Sequence, residues 1–311
     1  AALLERVFGR GWANLEPGRM RPALLTQESG IALASVLVWR IDTHHFLLTM
    51  TAGSIAKVRK RLDRLLAEEE IAPRLKMTEV TDEWGGVALM GPKSEALLAD
   101  SLPMSVMAEA LSSMAFRDFT QDDLPIRLAR ISLSVGGGYE IYTRAGYTDI
   151  LWNLLLEKGK AHGLILAGTA ARDILRIEAG RPGVREINGR ATAADLGLAP
   201  QERLEGRHRA RSQLVGLKSV SHEVEGKPPP PLSTGMTLYE GDGTDAAGSG
   251  IGLVTSACYS PAHDREIALA LLNDGRARVG TLIRAATADG RTVIDVKVQP
   301  PRVLPRGEIA H

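Results

Sequence analysis

The chain has 311 residues, 44% of them apolar and 24% charged, with aromatics at only 4%. That balance excludes wholesale disorder, and the length exceeds one ordinary domain and points to two or three lobes. Lysine plus arginine, 38, nearly cancels aspartate plus glutamate, 37, so a net charge of +1 supplies no field for steering toward nucleic acid or anionic lipid.

Residues 1–7 (AALLERV) read as a helix. A domain rarely opens on an apolar helical stretch, so more chain is expected ahead of it. Glu16-Pro17-Gly18 marks a turn, 19–27 alternates as a strand, and Glu28-Ser29-Gly30 is a hairpin signal. Strands at 31–41 and 46–51 are expected to pair around Asp42-Thr43-His44-His45. Ser54 is the expected N-cap of a helix reaching the acidic run 68–70, with Ile55, Val58, Leu62, Leu65 and Leu66 at helical spacing and Pro73 as its stop. Strands at 75–80 and 84–90 and a helix at 94–101 complete a β-β-α-β-β-α order, that of a small α+β lobe. Strands follow at 113–119, 126–134 and 139–143, then helices at 148–162 and 169–179. Residues 205–211 are basic, and 213–220 is a strand. Lys227 and the four prolines 228–231 form a stiff loop. Short strands at 236–239, 252–256, 266–272, 281–285 and 292–298 then suggest a small antiparallel barrel or sandwich.

The single cysteine, Cys258, excludes an internal disulfide or a multi-cysteine metal site and fits a reducing cytoplasm. No apolar run reaches the roughly 20 residues of a membrane helix, and no leader is expected from the opening residues. Gly136-Gly137-Gly138 precedes a strand, not a helix, so it reads as a hairpin and not a phosphate loop. No G-x-G-x-x-G joins a strand to a helix, so neither flavin nor NAD is expected on this chain by that route. Residues 241–251 look faintly like a calcium loop without its closing carboxylate and read as a hairpin tip. His44 and His45, adjacent in a turn, are not expected to share a metal. Cys258 reads as an inert, at least half-buried thiol. Arg203, Arg207, His208, Arg209 and Arg211 form either a solvated face or a seat for an anionic tail. Glu178 stands out. A carboxylate in the last turn of a helix opposes the helix dipole, so it needs either a salt-bridge partner, Arg172 or Arg176, or a ligand that donates hydrogen bonds.

Residues 170–180 (AARDILRIEAG) resemble the ARDSLRLEAG segment of the aminomethyltransferase family, the glycine-cleavage-system T-proteins. Residues 252–261 (GLVTSACYSP) resemble that family's G-x-V-T-S-G-x-x-S-P stretch, continued by 267–270, and Asn14-Leu15 with Pro17-Gly18-Arg19 matches its NLxPGR. Residues 192–198 (TAADLGL) and 211–217 (RSQLVGL) look more like the C-terminal, folate-binding half of the heterotetrameric sarcosine oxidase alpha subunit. The resemblance implies an α+β fold of three lobes in a cloverleaf, with a C-terminal antiparallel β-barrel and tetrahydrofolate in a central channel. It divides the chain into a remnant of the first lobe (1–30), a ferredoxin-like lobe (31–104), a central lobe completing the first (105–204) and the barrel (205–311). The family's opening strand has no counterpart before Ala1.

By the same resemblance Glu178 accepts hydrogen bonds from the pterin, and Tyr139 and Arg207 are further folate contacts. The departures fall on the chemistry. The family's Tyr aligns with Pro22, its Asp pair with Ala34 and Ser35, and the Glu of its S-G-E turn with Gly136. Ser35 thus occupies the family's catalytic Asp position, and a hydroxyl does not take a proton at neutral pH as a carboxylate does. The leading expectation is a tetrahydrofolate-binding part of an amine demethylase. A flavoprotein partner would oxidise a small N-methyl amine, and the imine would be trapped here as methylenetetrahydrofolate. The alternatives are a free-standing aminomethyltransferase-like enzyme and a non-catalytic scaffold of the same fold. Neither nucleic acid, membrane nor metal is expected.

Overall fold

The computed structural model describes residues 1–67, 75–103, 111–131, 137–198, 212–220, 230–241 and 250–302. The chain forms two compact units, Ala1–Leu25 with Ser35–Ala167, and Thr26–Ala34 with Gly168–His311.

The first unit opens with α1 (Ala2–Phe8). Strands β1 (Arg19–Thr26), β2 (Ala32–Arg40) and β3 (Phe46–Met50) form a sheet in the order β1-β2-β3. Pro22, which has no N–H to give a ladder, sits exposed on the edge strand β1. Helix α2 (Ala52–Ala67) buries Val58, Leu62 and Leu65, the stripe its periodicity dictates. It begins before the expected Ser54 cap. Ser54 is instead a buried first-turn residue whose hydroxyl pairs with that of Thr51 at 3.0 Å.

A second sheet, β4-β7-β6-β5, is built from β4 (Trp84–Met90), β5 (Phe116–Gln121), β6 (Leu124–Ala129) and β7 (Gly138–Arg144). Helices α3 (Ser94–Ser101) and α4 (Thr148–His162) join it around Leu97, Leu98, Ile141 and Leu151. The expected strand at 75–80 does not form. Its residues pair with no strand among those described, and Leu75 and Met77 are left exposed, because alternation makes a strand only where a sheet edge accepts it. Asp122 and Asp123, both at positive φ (48° and 64°), turn β5 into β6 as a two-residue primed hairpin, a conformation more often written with Asn-Gly.

The second unit holds α5 (Thr169–Glu178) and six strands closed into a barrel, β10-β11-β8-β13-β12-β9. These are β8 (Ser212–Ser219), β9 (Thr237–Tyr239), β10 (Gly252–Ser260), β11 (Arg265–Asn273), β12 (Leu282–Ala286) and β13 (Val293–Gln299). β13 shows the alternation in its simplest form, with Ile294, Val296 and Val298 inside and Asp295 and Lys297 outside. β11 is apolar on both faces. Ala268, Ala270 and Leu272 fill the barrel, while Ile267 and Leu269 lie on its outer wall with Ile177 of α5. Among the described residues no helix is long and apolar enough to cross a membrane.

Candidate functional site

Glu178 is the last residue of α5 and is 4% exposed. The helix ends as its sequence requires. Gly180 takes φ 66°, its N–H reaches the carbonyl of Ile177 at 3.0 Å, and the N–H of Arg181 reaches that of Arg176 at 3.0 Å. A Cβ at Gly180 would stand 2.4 Å from the backbone of Pro301, so glycine is needed for space as well as for φ.

β10 brings the partner. The register of β10 on β11 slips between Val254 and Ser256, a β-bulge at Thr255, whose hydroxyl donates to the Leu269 carbonyl at 3.0 Å. An uninterrupted strand would send Ser256 into the barrel. The extra residue instead turns Ser256, Cys258 and Ser260 onto the outer face that α5 covers, and Ala257 inward.

The two serines serve two different carboxylates. Ser256 donates to Glu186 Oε1 at 2.6 Å, and Glu186, 0% exposed, also accepts from Arg176 Nη1 at 3.0 Å and from the Gly183 N–H at 2.7 Å. Arg176 further donates to Asp173 and to the Arg181 carbonyl, so its guanidinium is fully engaged. Ser260, also 0% exposed, donates to Glu178 Oε1 at 2.6 Å, and its oxygen lies 2.9 Å from His263 Nδ1. Among the described residues the Ser260 hydroxyl, on Oε1, is the hydrogen-bond partner of the Glu178 carboxylate. Among the described residues neither Arg172 nor Arg176 pairs with Glu178; Arg176 is committed to Asp173 and Glu186. Burial, followed by the charge of Glu178, pushes the half-buried Cys258 thiol up to about 12, well away from a reactive thiolate.

The remaining expected residues are dispersed. Tyr139 lies in β7 at 4% exposure, packed in the first unit's core with the Arg130 guanidinium 6.0 Å from its ring. Burial and then Glu95 raise the pKa of its phenol. Ser35 is exposed on β2. Arg207, the rest of the basic cluster, Gly136 and residues 242–249 of the calcium-like loop lie outside the described residues. His44 and His45 donate their backbone N–H groups to Asp42 Oδ1 at 2.7 and 2.8 Å, and those bonds hold the Asp42 carboxyl below its usual range.

Ser256, Ser260, His263 and Glu186 had no expected role. The serines stand in the quoted 252–261 stretch, but the bulge that aims them leaves no compositional mark. The first unit also holds a cavity of about 680 Å³ lined by Trp39, Leu47, Thr49, Met77, Trp84 and Tyr142, within the usual size of a small-molecule pocket. Arg127, bidentate to Asp118 at 2.6 and 2.7 Å, stacks on Trp84 at its edge.

A mixed α and β architecture ending in a closed six-stranded antiparallel barrel is of the aminomethyltransferase type. The GCVT N-terminal domain family matches residues 1–201, and the glycine cleavage T-protein C-terminal barrel domain matches residues 213–303. The chain belongs to the glycine cleavage T-protein family. It is 29% identical over 297 residues to a sarcosine oxidase subunit alpha of Rhizobium meliloti (strain 1021), covering 90% of this chain but 29% of that protein. It is 27% identical over 303 residues to an aminomethyltransferase of Symbiobacterium thermophilum, covering 94% of this chain and 79% of the relative. The fold matches the glycine cleavage system aminomethyltransferase T of Bartonella henselae with a TM-score of 0.78 at 24% identity, over 97% of this chain and 81% of that one.

Proposed function

We propose that the chain binds tetrahydrofolate and serves one-carbon transfer, as the folate-binding part of an amine demethylase. The observation that carries this reading is Glu178: buried, with no arginine paired to it among the described residues, and held there by one neutral hydroxyl through Oε1. A carboxylate in that state suits a ligand edge that presents N–H donors. The charges near Cys258, namely Glu178, Glu266 and Asp173 against Arg176, make this neighbourhood acidic and favour a donor-rich or cationic ligand.

Tetrahydrofolate would supply the amine nitrogens that take the methylene carbon of an imine made from a small N-methyl amine, giving methylenetetrahydrofolate as the imine's own nitrogen leaves as the demethylated amine. The chain's own residues bind and orient. Glu178 fixes the pterin edge, and Ser260 fixes Glu178. Ser35 offers a hydroxyl where the family has a carboxylate, a replacement tolerated best when the one-carbon donor arrives already electrophilic. That favours the demethylase reading, with oxidation assigned to a flavoprotein partner, over a free-standing aminomethyltransferase. The length covered in the aminomethyltransferase relative, 79%, is what speaks for that second reading.

Isothermal titration with tetrahydrofolate tests the first claim. Saturable binding supports it, and absence of heat at millimolar ligand defeats it. Copurification with a yellow flavoprotein supports the demethylase reading. Turnover by the isolated, colourless chain supports the other, and Ser35→Asp should then raise its rate.

A further inference from the structure

Ser260 has one hydroxyl proton and two close neighbours, Glu178 Oε1 at 2.6 Å and His263 Nδ1 at 2.9 Å. An ionised carboxylate only accepts, so the Ser260 proton goes to Glu178. The serine oxygen must then accept from His263, which places a proton on Nδ1. The His263 backbone N–H, 3.3 Å from the same oxygen, adds to that preference. Ser260 and Glu178 are buried, whereas His263 is only partly covered, at the turn between β10 and β11. We infer that His263 is a positioning residue for Glu178, acting through Ser260 as a hydrogen-bond relay that ties the buried carboxylate's strength as an acceptor to the charge of a partly exposed imidazole. The inference deepens the reading of Glu178 as the ligand acceptor and rests on it only for its effect on binding.

Its direction follows from the charges. An imidazolium polarises the Ser260 hydroxyl toward Glu178 and withdraws negative potential from Oε2. A neutral imidazole leaves the carboxylate the stronger acceptor. An unperturbed histidine changes charge between about pH 5 and 8, so the relay makes acceptor strength rise as the imidazole gives up its proton. The other charged or titratable groups here do not replace it. On α5, Asp173 and Arg176 are paired with each other. On β10 the Cys258 thiol stays protonated, and Tyr259 donates to Asp264. Burial raises the pKa of Glu266 on β11, and Arg265 donates to the His263 carbonyl at 3.4 Å, not to its ring.

Two measurements on the full chain test the relay. The first needs no ligand: the His263 imidazole is titrated by NMR in the wild type, Glu178→Gln, Ser260→Ala and Ser260→Thr. Removing the carboxylate charge or the bridging hydroxyl should lower the imidazole midpoint, and threonine should restore it. An unchanged midpoint in both Glu178→Gln and Ser260→Ala overturns the relay. The second is tetrahydrofolate titration from pH 5.5 to 8. Wild-type affinity should rise roughly two- to fivefold, the weight of a part-exposed charge pair, and His263→Gln should flatten that rise. A rise of the same size in His263→Gln overturns the relay's role in binding. If tetrahydrofolate fails to bind the wild type at every pH, the folate reading falls, and the imidazole titration still decides the relay.

Discussion

Glu178 and Glu186 are both buried carboxylates beside the same strand, and each takes a hydrogen bond from a serine that the β10 bulge has turned outward. There the likeness stops. Glu186 is closed on itself, with a guanidinium, a backbone N–H and a hydroxyl all donating to it. Among the described residues Glu178 has a single neutral donor, and it faces the negative end of its own helix. A carboxylate offers about four acceptor sites, so the first arrangement explains itself as structure, while the second leaves bonding capacity that the described residues do not use. Sites that break a local rule without internal compensation are where function concentrates.

Of the two carboxylates, Glu186 is the costlier to remove. Glu186→Ala strands Arg176 and Ser256 in a buried pocket and should cost about 3–5 kcal/mol of stability, read from denaturant unfolding. Gly180→Ala should follow at about 2 kcal/mol, since the new methyl meets the Pro301 backbone and the helix end loses its left-handed glycine. Glu178→Ala removes one hydrogen bond and an ill-placed charge, and its net effect on unfolding should stay within about 1 kcal/mol. Tetrahydrofolate affinity should nonetheless fall by at least about tenfold, since a lost charged hydrogen bond is worth about 1.5–3 kcal/mol. The smallest effect belongs to Cys258. At pH 8 its alkylation should be far slower than that of a free thiol, and Glu178→Gln should quicken it modestly, because the Glu178 charge is the second cause of its raised pKa after burial.

The barrel was the most legible part of the chain, because strand alternation and turn signals repeat at short intervals. All six of its strands fall where the pattern places them, within a few residues. β10 is the instructive one. The pattern ends it at Ser256, whereas it runs to Ser260, past a bulge that alternation cannot register. Those added residues carry the serine that reaches Glu178. The strand expected at 75–80 failed for the opposite reason: its alternation is present, but a partner edge is not a local property. Glu178 was legible as a misplaced charge. What separates it from Glu186, the commitment of Arg176 elsewhere, exists only once the loop after α5 has folded back. The TAADLGL stretch that aided the family resemblance is itself a structural turn, in which Thr192 and Asp195 cap each other's backbone N–H groups at 2.8 and 3.1 Å.

The most direct measurement is tetrahydrofolate calorimetry on Glu178→Gln beside the wild type, with melting curves of both. Saturable binding to the wild type, its loss in an equally stable variant, and no change in melting without ligand are the results expected. Equal affinity in the two proteins, or a variant that unfolds while the wild type binds no folate, would show that this carboxylate serves the fold and not a ligand.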